Sequence, residues 1–294
     1  FLLKMNMNKK YLSNVMTSGE AAMHAINKNQ FGKNFFHLGP PRDTSVFENV
    51  KDNQVDILIN YLPVGSQKAT EFYAQCCLDA GVSLLNCIPV FIASTPEWEQ
   101  KFIDAKTPLI GDDMKSQFGA SILSQMLQEL SFHRGHKVKC HIQRNIGGNT
   151  DFLNMTDTSR LKSKKESKEN VIRSQNTINN VKDDSFLHAG PSEYIRYHGD
   201  NKIANFHLEL EGFMGSPVIF DAQLSVIDSP NSAGVVIDAI RYLKVAREMN
   251  IVGALRGPSA FTQKTPPLQM PYSETLGECD ALARREFTEI TRNF

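Results

Sequence analysis

The chain has 294 residues, 41% of them hydrophobic and 22% charged, enough apolar surface to offset the ordering entropy of a globular protein, which excludes a disordered chain or a small stapled scaffold. Thirty-two Lys and Arg balance 32 Asp and Glu, so no overall field draws the chain onto nucleic acid or an anionic membrane, and any positive site must be local. Five cysteines without a CxxC pair fit reduced thiols in the cytoplasm better than a secreted disulfide framework, and no apolar run reaches the ~18 residues that span a bilayer.

Val55 to Asn60 (VDILIN) predicts a strand running into Pro63-Val64-Gly65-Ser66, with Ser66 placed to cap a helix that Gly81 closes. Phe72, Cys76 and Ala80, four residues apart, mark one face of that helix. Val82 to Cys87 predicts the next strand, Pro96 to Ala105 a helix with proline at its start, and Thr107 to Gly111 a third strand. This βαβαβ alternation with short connections implies a parallel sheet covered by helices on both faces, with ligands bound at the carboxyl edge of the strands.

A helix from about Gln117 to Arg134 follows, with Ile122, Met126 and Leu130 in register and Gly135 as its stop. Lys137 to Gly148 reads as a strand, and the polar stretch 150–180 as partly helical. Two long alternating strands come next: Phe206, Leu208 and Leu210 share one side of the first, and Val218, Phe220, Ala222, Leu224 and Val226 one side of the second. Such alternation implies a second sheet with one packed face. Ser229-Pro230 opens a helix with Val236, Ile240 and Leu243 on one face, and the tail from Glu274 is amphipathic.

Three local patterns carry chemistry. Lys164 and Lys168 lie one helical turn apart in the basic run SKKESK (Ser163 to Lys168); two close ammonium groups depress each other's pKa and together neutralise a phosphate, although a charge run is by default a solvated face. Gly147-Gly148-Asn149 offers either a plain turn or backbone amides for an anion. Asp112-Asp113, after a strand, can hold a metal, orient a ribose hydroxyl or cap the next helix. The eight histidines show no zinc-protease spacing, and neither G-x-S-x-G nor a Walker loop is present.

With these motifs in view, the chain resembles the inositol-3-phosphate synthase family, in its shorter archaeal and bacterial branch. NYLPVGS (Asn60 to Ser66), NCIPVFIAS (Asn86 to Ser94), GDDMKSQFGA (Gly111 to Ala120), NIGGNTDFLNM (Asn145 to Met155), SKKESK, GPSEY (Gly190 to Tyr194), DSPNSAGVVIDA (Asp228 to Ala239) and KTPP (Lys264 to Pro267) stand in the family's order and approximate spacing. The resemblance implies NAD-dependent isomerisation of glucose 6-phosphate to 1D-myo-inositol 3-phosphate: oxidation at C5, enolisation at C6, intramolecular aldol closure onto C1 and reduction of the C5 ketone. Negative charge comes and goes on oxygen at each step, which is what a lysine-rich site stabilises.

Carried over onto matching positions, the resemblance assigns Lys164 to proton exchange at the C5 oxygen, Lys168 to the oxyanion and phosphate, Lys202 to the phosphate, and Lys264 to the oxygen developing at C1. It assigns Asp228 to orienting a lysine, and Asp113, Lys115 and Ser116 to the nicotinamide end. Asn149, Asp151 and Asn154 are expected in the substrate pocket, and Asn60, Leu62, Pro63, Gly65 and Pro89 along the cofactor groove. A divalent metal or monovalent cation near Asp113 is a further expectation.

The expected fold is α/β, with a Rossmann-like NAD-binding domain from 1–115 plus 229–294, and an inserted open-sheet domain, 116–228, for catalysis and assembly into a homotetramer. The family's glycine-rich pyrophosphate loop is not found, and FLLKMNMNKKYLS (Phe1 to Ser13) aligns weakly with its second strand, so the chain is expected to enter the fold there, after a βα unit of roughly 60 to 80 residues. The alternatives are a non-catalytic relative binding a sugar phosphate and another two-domain NAD-dependent oxidoreductase; a nucleic-acid-binding module is disfavoured by the charge balance.

Overall fold

The computed structural model describes residues 54–156, 161–179 and 184–288; the Phe1 to Ser13 alignment lies outside them. Two four-stranded sheets form the architecture. The first contains β1 (Ile57–Asn60), β2 (Ser83–Asn86), β3 (Pro108–Ile110) and β8 (Gly253–Ala254), in that order and parallel throughout. Helices α1 (Gln67–Ala80) and α2 (Pro96–Asp104) connect the first three strands.

Both faces of this sheet are buried, which is why its strands read as continuous apolar runs. On one face Ala74, Cys77 and Phe102 pack with Leu84 and Leu109. On the other, Leu85 and Ile110 meet Val235, Val236, Ala239 and Leu243 from α6 (Asp228–Glu248), together with Leu282 of α8 (Tyr272–Ala283). Gly81 ends α1 in the left-handed region at φ 67°, as expected, with its N–H on Leu78 O.

Two local expectations are corrected. The Ser66 hydroxyl makes no cap to α1; it donates back to Pro63 O at 2.7 Å, and the helix starts on the Ser66 carbonyl. The buried face of α1 is Thr70, Ala74, Cys76 and Cys77; of the expected stripe Cys76 is buried, whereas Phe72 and Ala80 are half-buried. A helix lying close on a sheet favours small side chains at the contact, and the bulky Phe72 is displaced to its margin.

The second sheet runs β5 (Phe186–Tyr194), β4 (Lys137–Gly147), β6 (Asn201–Glu211) and β7 (Pro217–Ile227). The pair β4/β5 is parallel and the other two pairs antiparallel. Helices α3 (Ala120–His133) and α5 (Leu161–Ile178) cover one face. There Ala120, Leu123 and Leu127 of α3 pack on Ala204, Phe206 and Leu208, with Ala222 and Leu224 of β7 beside them.

The stripe expected to bury α3 is instead its outer face: Met126 is 45% and Leu130 57% exposed. Ser124, Gln128 and Ser131 point inward because β4 presents His141, Gln143 and Asn145 to them, all buried. The β7 alternation holds in direction, but Val218 and Phe220 remain exposed at the end of an edge strand. Strand β7 then runs directly into α6 and returns the chain to the parallel sheet.

Candidate functional site

The strand ends of the parallel sheet are joined by a buried polar relay. Asn60, closing β1, donates from Nδ2 to Asn86 Oδ1 at 2.8 Å and to Thr70 Oγ1 at 3.1 Å. Asn86, closing β2, donates to Asp112 Oδ1 at 2.7 Å. Asp112, just beyond β3, also accepts from the backbone N–H groups of Ile92, Ala93 and Ser94 and from the Ser94 hydroxyl. Burial pushes the Asp112 pKa up to about 6 against the pull of these hydrogen bonds.

This relay ties together the loops expected to line the cofactor groove. The Leu62 N–H bonds Asn60 Oδ1 at 3.1 Å; Leu62 and Pro63 are half-buried, Gly65 is exposed at φ 91°, and Pro89 is buried. Asn86 was not among the expected site residues, and Asp112 was named only with Asp113, as a metal, ribose or capping group, rather than as the end of this relay. The available signal was positional: each is a polar residue at the carboxyl end of an apolar strand.

The turn after β3 is fastened to the segment after α7 (Arg256–Thr262). Asp112 and Thr265 exchange backbone hydrogen bonds at 2.9 and 3.0 Å, Lys264 N–H bonds Asp113 O at 2.7 Å, and Lys115 N–H bonds Thr262 O at 2.8 Å. This pairing brings Lys264 Nζ to 2.8 Å from Asp113 Oδ1 and 2.6 Å from Met114 O, with both side chains buried. Asp113 occupies the left-handed region at φ 61°, a conformation that costs little for aspartate.

Lys115 is turned inward. Its Nζ donates to Ala260 O at 2.7 Å and Gln125 Oε1 at 3.2 Å, and burial, with the Lys264 charge, pulls its pKa down to about 7. The side chain therefore packs the turn against α3 and α7 and presents no amine to the open edge. Ser116 is half-buried beside Gly119, where an added Cβ would lie 2.8 Å from the Ser116 Cβ.

A second cluster forms where β6, β7 and α4 (Thr150–Asn154) meet. Lys202 Nζ donates to Asp228 Oδ1 at 3.0 Å, and Asn149 Nδ2 donates to Asp228 Oδ2 at 3.1 Å and Asp200 Oδ1 at 3.3 Å. Burial opposes the Asp228 charge, but the Lys202 ammonium and the two hydrogen bonds hold its pKa below the ordinary carboxylate value. Asn149 also caps α4 through Phe152 N–H at 3.2 Å, and Asp151 and Asn154 stand half-buried on that short helix.

The Gly-Gly pair serves close packing. An added Cβ at Gly147 would lie 2.5 Å from the Phe152 ring, and one at Gly148 would strike the backbone of Ile195 and Gly199. The Gly148 N–H already bonds Gly199 O at 3.1 Å. Lys168 lies on the buried face of α5 with Val171, Ile172, Gln175 and Asn176. Lys164 is on the same helix, its side chain outside the described residues.

The two lysine–carboxylate couples are linked through one asparagine. In the first turns of α6, close after Asp228, Asn231 O accepts from Gln117 N–H at 2.8 Å, Asn231 Oδ1 accepts from Phe118 N–H at 3.0 Å, and Asn231 Nδ2 donates to Phe118 O at 2.6 Å. Gln117 and Phe118 continue the turn that carries Asp113 and Lys115. Among the described residues no group of three His, Cys, Asp or Glu could hold a metal ion, and no helix is long and apolar enough to cross a membrane.

The family model described as myo-inositol-1-phosphate synthase matches residues 119–229. The chain is 43% identical over 253 residues to the inositol-3-phosphate synthase of Mycobacterium tuberculosis, covering 86% of this chain and 66% of the relative. With that of Mycolicibacterium smegmatis the identity is 45% over 227 residues, covering 76% and 62%. Thus the chain spans somewhat under two thirds of its relatives' length. The solved structure of a myo-inositol-1-phosphate synthase-related protein from Thermotoga maritima shares the fold, with a TM-score of 0.70 at 23% identity, covering 84% of this chain and 70% of that one. With the motifs in order through both sheets and these identities across most of its length, the chain belongs to the myo-inositol-1-phosphate synthase family.

Proposed function

We propose that the chain is the catalytic part of an inositol-3-phosphate synthase, converting D-glucose 6-phosphate to 1D-myo-inositol 3-phosphate with NAD. The observation that carries this reading is the pair of lysines held by carboxylates, Lys264 on Asp113 and Lys202 on Asp228, built on adjoining sheets and tied through Asn231. The reaction places negative charge at two separated points of one small sugar, its phosphate and its ring-closing oxygens, and two anchored ammonium groups match that demand.

In this reading Lys264 donates a hydrogen bond to the oxygen that becomes anionic as C1 is attacked, with Asp113 fixing the direction of the ammonium. Lys202, steadied by Asp228, neutralises the phosphate, assisted by Lys168. Lys164 moves the proton at the C5 oxygen. Asn149, Asp151 and Asn154 orient the sugar hydroxyls.

The residues at the carboxyl edge fit a dinucleotide: the loops carrying Asn60, Leu62, Pro63, Gly65, Pro89, Asp113 and Ser116 follow successive parallel strands on the same side of the sheet. NAD, when bound, takes up hydride from C5 and returns it. No metal enters this reading, because the Asp113 carboxylate already holds the Lys264 ammonium.

Segments 1–115 plus 229–294 form the NAD-binding domain in this scheme, and 116–228 the catalytic and assembly domain. The exposed Val218, Ile219 and Phe220 of β7 support assembly of copies into a tetramer, acting in the cytoplasm. The test is to incubate the purified chain with NAD and glucose 6-phosphate and to follow inositol phosphate by phosphorus NMR. Product formation is expected; a tetramer that retains NAD and makes none overturns the proposal.

A further inference from the structure

Beneath α3 and α5 lies a continuous line of buried side chains that carry no apolar function. Asn145 Nδ2 donates to Gly190 O at 2.8 Å, Gln143 Nε2 to Asn145 Oδ1 at 3.1 Å, and Ser124 Oγ to Gln143 Oε1 at 2.8 Å. His141 Nε2 lies 3.1 Å from Ser124 Oγ, and His141 Nδ1 lies 3.0 Å from Gln128 Oε1. Gln128 Nε2 donates to Asn176 Oδ1 at 2.7 Å. The line thus runs from β5, which carries the GPSEY motif, to α5, which carries Lys164 and Lys168.

Its direction is set at one end. A backbone carbonyl only accepts, so Asn145 must donate to Gly190, Gln143 to Asn145, and Ser124 to Gln143. Serine has one hydroxyl hydrogen, and it is committed to Gln143. Ser124 Oγ can therefore only accept from His141, which requires a hydrogen on Nε2.

The other ring nitrogen then faces a choice. With the Gln128 carbonyl toward it, Nδ1 must also carry a hydrogen, making a buried imidazolium whose two neighbours are both uncharged. With the Gln128 and Asn176 amides each turned by half a turn, the Gln128 NH2 donates to Nδ1, its carbonyl accepts from the Asn176 NH2, and the ring is neutral. Burial of a lone charge is costly, and it pulls the His141 pKa down to about 4.

We propose that His141 is a positioning residue, held as the neutral Nε2–H tautomer, which passes a single direction of hydrogen bonding from the Gly190 carbonyl to Asn176 and so sets α5 with its lysines against the sheet. Its catalytic consequence rests on the synthase reading above; the tautomer and the docking of α5 do not. The relay makes no contact with substrate and acts through the placement of Lys168, which shares the buried face of α5 with Asn176.

The experiment is nitrogen-15 NMR of the histidine-labelled protein without ligands between pH 6 and 8. The expected result is a protonated Nε2 and an unprotonated Nδ1 for His141, constant across that range. The opposite tautomer, or an imidazolium pattern, overturns the proposal.

His141→Gln keeps a donor near the Nε2 position, whereas His141→Asn reaches only toward Gln128 and leaves Ser124 without its donor. Amide exchange of α5 should accelerate at least about tenfold in His141→Asn and stay within about threefold of the parent in His141→Gln. Equal exchange in both variants removes the positioning role. If the parent also makes inositol phosphate, kcat/KM should fall about tenfold in His141→Asn, since Lys168 serves the phosphate; if the parent makes none, the synthase reading fails while the spectrum and the exchange still decide this one.

Discussion

Lys264 and Asp113 stand 151 residues apart in the chain, yet Nζ and Oδ1 meet at 2.8 Å inside the protein. The pairing is made by backbone hydrogen bonds that lay the segment after α7 along the turn after β3. Because both partners are buried, removing one strands the charge of the other. Lys264→Ala should lower kcat by about 10²–10³-fold or more and cost about 3–5 kcal/mol of stability. Asp113→Asn, which keeps an acceptor for the ammonium, should retain more stability than Lys264→Ala while still losing activity. Urea denaturation and steady-state kinetics on the same preparations separate the two effects.

Asp228 gives a pH signature. Its folded pKa is held down, chiefly by Lys202 against the effect of burial, so its stabilising contribution is fully present above the unfolded value of about 3.9 and is lost as pH falls through the lower folded value. Asp228→Asn should be about 2–3 kcal/mol less stable than the parent at pH 7. The two proteins' urea midpoints should draw together on acidification toward pH 3; a gap that stays constant removes the ion pair as the cause.

Asp112 works in the opposite sense. Burial raises its pKa to about 6, so the folded protein holds that proton more tightly, and the resulting stability is fully present below the unfolded value of about 3.9 and is lost as pH rises through about 6. A carbon-13 titration of its carboxyl should show a midpoint near that value. In Asp112→Asn an NH2 group replaces an acceptor among five donors, and a loss of about 2–3 kcal/mol at pH 7 is expected by thermal denaturation.

Lys115 predicts a rise in stability at alkaline pH. Its pKa is lowered to about 7 by burial and Lys264, so between that value and its ordinary one of about 10.4 the unfolded chain binds more protons, and stability increases with pH. Lys115→Met should flatten this dependence across pH 7 to 10. A variant with an unaltered slope assigns the effect to another group.

Two glycines should respond differently to the same methyl group. At Gly148 an added Cβ strikes fixed backbone at Ile195 and Gly199, whereas at Gly234 it meets the end of the Gln117 side chain, which can swing away. Gly148→Ala should cost about 1–3 kcal/mol or more, and Gly234→Ala less than about 1 kcal/mol. Chemical denaturation of the two variants settles the order.

The parallel sheet was legible because its strands are short apolar runs and its first helix ends on Gly81, where a residue of left-handed φ is required. The second sheet's strands were legible from alternation, but the facing of α3 was not. Apolar periodicity points Met126 and Leu130 inward, and that rule assumes an apolar floor. Strand β4 lays down His141, Gln143 and Asn145 instead, and the polar side of α3 satisfies them.

The site shows the same division. Lys202, Lys264, Asp228 and Asn149 were singled out by the resemblance, and the structure gathers them in two hydrogen-bonded clusters, Lys264 with Asp113 and Lys202 with Asp228 and Asn149. The Asn60–Asn86–Asp112 relay was not, because its members are 26 residues apart at each step and no local pattern relates them. Lys115 shows the converse: a residue embedded in a motif whose amine turns away from the edge the motif suggests.

No linker separates Ile227 at the end of β7 from Asp228 at the start of α6, and Asn231 clasps the other crossing between the sheets through three hydrogen bonds. A hinge needs residues free to change φ and ψ, and neither crossing supplies them. On the synthase reading proposed above, the two crossings would fix the spacing between Lys202 and Lys264 and so make it a gauge for the length of the sugar phosphate. On that reading, discrimination among sugar phosphates of different length would be set by the chassis, and the adjustments that admit them would fall to the side chains and loops at its edge.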